Sequence, residues 1–454
     1  MRKDIESIKD TEDGLDGSAA AVRLAEGAPL RNVVALDDPG GWLSLDAGVR
    51  EVSWYQGVPL PDWERAAPLP SRLTRLGESG LALALCHRDG RIRQAAIRQS
   101  GRHPDLLPLI AVRCADWAAP VRERARKLLR KALTPQTATD LAPLILRLGH
   151  RDRGGFGVEL LEDALREADL ERLAALFGHP DRGTRRFAYR LAVEHRRLSP
   201  AELARAAARD EDAVVQDLCA TAALTTMRET EVDVEDLLGP LLTARAPRVR
   251  SAGVTALRRA GQPERAEPFL GDRSAVVRAC ARYVVRQYGG SPTAWYRERC
   301  ATPDDPALAP GAVIGLAECS DRGDGATLWR LLEHPADRVR AQAVAGLRTL
   351  DLADARRLRP LLDDPAPAVV RETAVALLPS AKQLPADWLL ERTGPQWPRH
   401  TRVAAFRLLG AHGGVAARRA AAGLLEDPDV KLRTWARHTA RPVPKGSGPQ
   451  GDVR

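Results

Sequence analysis

Few positions in this 454-residue chain bring together groups able to hold a proton, an electron pair or a metal. Six cysteines, Cys86, Cys114, Cys219, Cys280, Cys300 and Cys319, form no CxxC pair and keep no regular spacing, so they read as buried, reduced thiols. His179 and His334 each precede a proline, where an imidazole caps a following helix more readily than it binds a metal. Glu194-His195 and Glu333-His334 set a carboxylate beside an imidazole, and Trp42 and Asp46 lie four apart in GGWLSLDAG. There is no GxxxxGK[ST] phosphate loop, no GxSxG elbow, no HExxH and no GxGxxG. The expectation is a protein that is not an enzyme, with no catalytic residue, no metal, no cofactor and no small-molecule substrate.

What recurs instead is a phrase. DDPAPAVVRETAVALL from Asp363 is echoed by HPADRVRAQAVAGL from His334, EDPDVKLRTWARHTA from Glu426 and GDRSAVVRACARYVV from Gly271. With Arg371 as anchor, equivalent positions fall at 93, 122, 159, 185, 216, 250, 278, 309, 340, 371, 402 and 433, and the last five intervals are all 31 residues. Nine anchors are arginine, and Glu159, Gln216 and Ala309 depart. The interval of 37 before Glu159 and of 26 after it, with three glycines in RDRGGFG, predicts a break near Gly154 to Gly157.

Each part of the phrase has a physical job. A run such as ADARRLRPLL puts Leu358, Leu361 and Leu362 on one helical face, and the Asp-Pro or His-Pro after it ends that helix in a tight turn. In the second helix, positions −1, +3 and +7 from the anchor (Val370, Ala374 and Leu378) fall on the core stripe, while Thr373 points away. One such hairpin cannot cover its own apolar stripe, but a dozen stacked hairpins can. With aromatics at only 4% of the chain, small aliphatics must fill that core. The fold class predicted is all-α, an α-solenoid of about twelve helix pairs.

The D-P-x-x-x-V-R-x-x-A-x-x-A-L phrase resembles the short HEAT-type repeats of the armadillo-like superfamily, the variety found in phycobilin lyase subunits and in deoxyhypusine hydroxylase. The resemblance implies a ladder between adjacent repeats, with Asp272, Asp364 and Asp427 as its acids and Arg278, Arg340, Arg371 and Arg433 among its bases. Deoxyhypusine hydroxylase binds iron through His-Glu pairs; the reversed pairs here put the two side chains on other faces, which argues against that activity. Some bacterial alkylpurine DNA glycosylases also have HEAT-like repeats and use an aspartate beside tryptophans, which leaves Trp42 and Asp46 as a remote enzymatic option.

The domain reading is a disordered acidic segment 1–20, an irregular Trp-rich cap 21–80, the repeat array 81–440 and a disordered tail 441–454. Trp42, Trp54, Tyr55 and Trp63 are expected to pack on the first repeats. No apolar leader follows the N-terminal charges and no run of about 18 apolar residues occurs, so the expectation is a cytoplasmic protein without a membrane partner. Only seven of 69 basic residues are lysine, which with the many alanines suggests a GC-rich bacterial genome.

The net charge of +9 is uneven: residues 86–131 carry 12 basic and 4 acidic side chains. Positions +5, +8 and +9 point off the core stripe and hold Arg98, Arg102, Lys127, Arg130, Lys131, Arg190, Arg258, Arg259, Arg286, Arg348 and Arg407, against Glu167, Glu194 and Glu318. This is read as a basic inner strip, with Arg186 and an exposed Phe187 at its edge. The function predicted is a protein-binding scaffold whose concave face takes a partner with an acidic segment; the alternative is a nucleic-acid-binding solenoid. Helix dipoles supply a plainer reason for such cations, since they lie near helix C-termini.

Overall fold

The computed structural model describes residues 16–35, 37–50, 76–227 and 233–440. Among them every regular element is helical, and the fold is an all-α solenoid of stacked hairpins. The chain divides into two units, 1–231 and 232–454. The first holds α1 (Gly17–Ala25), α2 (Pro39–Arg50), α3 (Glu78–Cys86), α4 (Gly90–Ser100), α5 (Leu107–Arg113), α6 (Ala119–Ala132), α7 (Pro135–Gly149), α8 (Gly155–Arg166), α9 (Leu170–Phe177), α10 (Arg182–Glu194), α11 (Pro200–Arg209) and α12 (Ala213–Thr226). The second holds α13 (Val234–Thr243), α14 (Pro247–Ala260), a 3-10 segment Pro263–Gly271, α15 (Ala275–Gln287), α16 (Pro292–Arg299), α17 (Pro310–Cys319), α18 (Gly325–Arg330), α19 (Asp337–Thr349), α20 (Ala355–Leu358), α21 (Pro367–Leu377), α22 (Ala386–Glu391), α23 (Arg399–His412), α24 (Gly414–Gly423) and α25 (Val430–Ala440).

The second helix of each pair shows how a chain poor in aromatics packs. In α6 the buried side chains are Val121, Ala125 and Leu129, one straight stripe; in α15 they include Val277, Ala281 and Val285, and in α19 Val339, Ala343 and Leu347. The middle member is small, which lets backbones approach. At Gly253 in α14 an added Cβ would lie 2.9 Å from the Leu241 Cβ of α13.

The anchor arginine closes each turn. Arg93, Arg185, Arg250 and Arg340 all send Nη1 to the carbonyls five and six residues earlier, at 2.8–3.1 Å. Their Nε and Nη2 atoms then reach the turn aspartate of the next pair: Arg93 to Asp116, Arg185 to Asp210, Arg250 to Asp272 and Arg340 to Asp364. Arg402 reaches Asp427 through Nη2 alone, its Nε donating to the Thr393 carbonyl oxygen. Each of these aspartates also accepts the backbone N–H two residues on, fixing the start of its own second helix. His87, His179 and His334 stand at the same turn position and accept the same N–H through Nδ1. They are turn caps, as their place before the second helix implies.

The ladder differs from the sequence-based expectation in its partners. Asp272, Asp364 and Asp427 serve the arginine of the preceding pair. Arg278 turns to Glu318 on α17, because no aspartate six residues before that pair's anchor awaits it. Arg433, in the last described pair, bonds the Asp427 carbonyl. Arg371 belongs to no rung: its side chain is 69% exposed and touches Glu372. Val370, not Arg371, stands six residues after Asp364, so the phrase is out of register there by one residue, or about 100° of helix. Thr373, expected to face outward, is therefore fully buried.

Two expectations about irregular segments are also corrected. The stretch 21–80 is not irregular throughout, since α1 and α2 form a hairpin whose Trp42, Leu45 and Val49 are buried. Its glycines suit close helix contact: an added Cβ on Gly17 would lie 1.9 Å from the Ser44 carbonyl oxygen, and on Gly48 2.1 Å from the Gly17 carbonyl carbon. Asp16 caps α1 through the N–H groups of Ser18 and Ala19, so helix begins inside the segment 1–20. Trp54, Tyr55, Trp63 and the tail 441–454 lie outside the described residues. Near Gly154 the position six residues before the anchor place is Arg153, not an aspartate, and the anchor place itself is Glu159, not an arginine; Gly154 lets the backbone fold onto Leu148, whose carbonyl oxygen would be 1.9 Å from a Cβ there.

The register makes a paired prediction. Thr373→Arg should strand a charge in the core and lower stability by several kcal/mol, whereas Arg371→Glu should shift it by no more than about 0.5 kcal/mol. Urea denaturation of both variants checks this, and equal shifts would refute the register. A second test concerns the rung. Arg340→Ala should cost about 3–5 kcal/mol by leaving Asp364 buried and unpaired. Arg340→Gln should recover part of that, because Gln216 makes the six-back carbonyl bond unaided at 2.7 Å.

Candidate binding surface

The predicted strip residues separate into two groups. Arg98 and Arg102 follow the core positions of α4, and Lys127, Arg130 and Lys131 occupy the last turns of α6; all five are exposed. Helices α4 and α6 pack side by side, and a Cβ at Gly101 would lie 3.6 Å from Leu128 Cδ1, so the two C-terminal halves adjoin. Among the described residues none of the five pairs with a carboxylate. Arg130 rests 5.1 Å from the centre of the Phe156 ring, with Arg126 at 4.6 Å on the same ring.

Arg186, Phe187 and Arg190 do not join that surface as expected. Phe187 is only 4% exposed, because α10 packs on neighbours to either side of its stripe as well as along it. Arg186 forms a two-bonded pair with Asp212 at 2.8 and 2.7 Å. Arg190 bonds Glu162 and lies 3.9 Å from Glu194, with its guanidinium over Phe187. The acids that neutralise Arg186 and Arg190 come from neighbouring pairs.

A buried ionic cluster lies at the base of the first pairs and left no motif in the sequence. Arg113 bonds both Asp46 and Asp116, Arg93 takes Asp116 from the other side, and Arg50 is ion-paired with Asp46 at 3.1 Å. These charges fasten α2 to α5. Asp46 is thus shared by two arginines and Trp42 is fully buried, an arrangement that cannot present a carboxylate to a flipped-out base. The Cys86 thiol beside Asp46 is pushed well above its usual range, by burial first and by that carboxylate second. Burial also raises Cys114, Cys219 and Cys300 to about 12, so these thiols stay protonated and inert. All six cysteines are free, with Cys280 and Cys319 half-buried. Among the described residues no cluster of three or more His, Cys, Asp or Glu could hold a metal ion, and no helix is long and apolar enough to cross a membrane.

Two exposed aromatic groups leave no trace in the charge pattern of the sequence. Trp117, in the turn before α6, is 66% exposed. Tyr283 and Tyr288 on and after α15 are 44% and 49% exposed, and their spacing from the anchor (+5 and +10) would have revealed them.

No family model matches the sequence, and no curated protein matches it. Among solved structures the chain is similar to Kap121p, at 13% identity over 79% of this chain with a TM-score of 0.27, and it covers 48% of that chain. It is also similar to a structure titled for tubulin recruitment and assembly by microtubule polymerases with TOG domain arrays, at 11% identity over 92% of this chain and 99% of the other, with a TM-score of 0.23. At these scores the likeness carries no functional argument.

The Arg186–Asp212 pair predicts an acid response. Its hydrogen bonds to Arg186 and to the start of α12, working against desolvation, hold the Asp212 carboxyl down at about 2. A carboxyl depressed on folding stabilises above its unfolded range near 4 and loses that contribution as pH falls toward 2. Arg186→Ala should therefore be less stable than the parent at pH 6, with the gap closing between about pH 4 and 2. Urea midpoints across that range check it; a pH-independent gap would refute the pairing.

Proposed function

We propose that the protein is a non-enzymatic scaffold that binds another protein, taking an acidic segment of that partner on the adjoining C-terminal halves of α4 and α6. The observation that carries this is the contrast between the two groups of cations: Arg98, Arg102, Lys127, Arg130 and Lys131 stay exposed without carboxylates, while Arg186 and Arg190 are neutralised by neighbouring pairs. A helix dipole favours Arg130 and Lys131 in the last turn of α6, but it does not decide whether a neighbouring carboxylate meets them. The repeat phrase adds a second support, since stacked helix pairs offer long surfaces suited to extended partners. The phycobilin-lyase-type subclass rests on the phrase alone.

Charge reversal tests the reading. Lys127→Glu, Arg130→Glu and Lys131→Glu together should abolish capture of a polyglutamate peptide by the full chain while the melting midpoint stays nearly unchanged, since exposed charges contribute little to stability. Retained capture would remove this surface from consideration. If the parent ignores the peptide but binds an oligonucleotide that the triple variant loses, the surface is a nucleic-acid site instead.

A further inference from the structure

We propose that the ends of α14 and α15, in the second unit, form a separate site for single-stranded nucleic acid. Arg258 on α14 and Tyr283 and Arg286 on α15 occupy the same off-core rows as the α4–α6 cations, and Tyr288 follows at the end of α15. The two tyrosines gather around one residue. The Arg258 guanidinium lies 5.7 Å from the centre of the Tyr283 ring, and the Tyr288 hydroxyl donates to the Arg258 carbonyl oxygen at 2.7 Å. Gly289, at φ +81°, ends the helix directly after Tyr288, and Gly290 donates back to the Val285 carbonyl oxygen, so the second ring sits on a fixed terminus.

Burial sets these rings apart. Among the described residues the other tyrosines, Tyr189 and Tyr296, are 9% and 0% exposed, in a chain with few aromatics to spare for its core. Helix dipoles account for Arg258 and Arg286 at helix C-termini but give no reason for two exposed rings beside them. A basic surface with interleaved aromatic faces suits unpaired bases, which stack on the rings while arginines meet the phosphates. An acidic peptide would use the cations and leave the rings idle. Neither Arg258 nor Arg286 is paired with a carboxylate among the described residues, so both are free to meet an anion.

The test uses the full chain and a fluorescein-labelled oligothymidylate, read by anisotropy at about 50 mM salt, where phosphate contacts are strong. Binding should occur and should weaken steeply toward about 200 mM. The double change Tyr283→Ala, Tyr288→Ala should weaken it at least roughly tenfold with an unchanged melting midpoint, whereas Tyr288→Phe, which keeps the ring, should stay within about twofold. No binding by the parent overturns the proposal. So does binding that survives the double change but is lost on Lys127→Glu with Lys131→Glu. Equal loss of polyglutamate binding in the tyrosine variant would reassign the surface to an acidic polypeptide and overturn it as well.

Discussion

One hydrogen-bonding fork holds the architecture together: a guanidinium at the fourth residue of a second helix that bonds the end of the first helix behind it and the turn ahead of it. The first bond satisfies carbonyls that a helix end leaves open, and the second crosses to the next hairpin. A lysine ammonium could make either contact but not both in one plane. Gln216 shows the division of labour, since it keeps the bond to the Asp210 carbonyl and reaches no further carboxylate. Packing of small side chains follows from this fork, because it fixes how far each second helix lies from its neighbour before any aliphatic contact is counted.

The fork also explains which residue fills the turn. Asp116, Asp210, Asp272, Asp364 and Asp427 each follow a pair whose anchor is arginine. His179 and His334 follow Glu159 and Ala309, and Ala244 follows Gln216. A half-buried carboxylate without its arginine would be costly, whereas an imidazole caps the same N–H at no such cost. Arg122 and Arg278 are anchors, each followed by a further described pair, that meet no turn aspartate; Arg122 bonds carbonyls of its own turn, and Arg278 recovers a carboxylate from Glu318.

This correlation lies within a single sequence, and it shows how much of the fold was legible there. Period, helix pairing and the small residue at mid-stripe could be read because each is local. The slip at Arg371 arose where AVVR offers a valine in the true anchor place and an arginine beside it; counting six from Asp364 would have resolved it. The α1–α2 hairpin was hidden because glycine signals a loop in one context and close helix contact in another, and only the partner helix distinguishes them. Phe187 was misplaced for a related reason: a second helix is covered by its own first helix and by the second helices before and after it, so its buried face is wider than one stripe.

The candidate sites were harder to see than the fold because charge in a stacked array is neutralised at a distance. Arg186 meets Asp212, Arg190 meets Glu162, Arg297 meets Asp324 and Arg392 meets Asp363, all about one repeat apart. A window sliding along the chain counts each such arginine as free. The cations open to a partner are those whose neighbours one repeat away do not neutralise them, and the α4–α6 surface and the arginines beside Tyr283 and Tyr288 are among these. Net charge therefore misleads here in a definite direction. It overstates the basic surface of the regular rungs, where arginine is structural, and understates the contrast between that background and places such as the α4–α6 surface where arginine and lysine have no carboxylate partner.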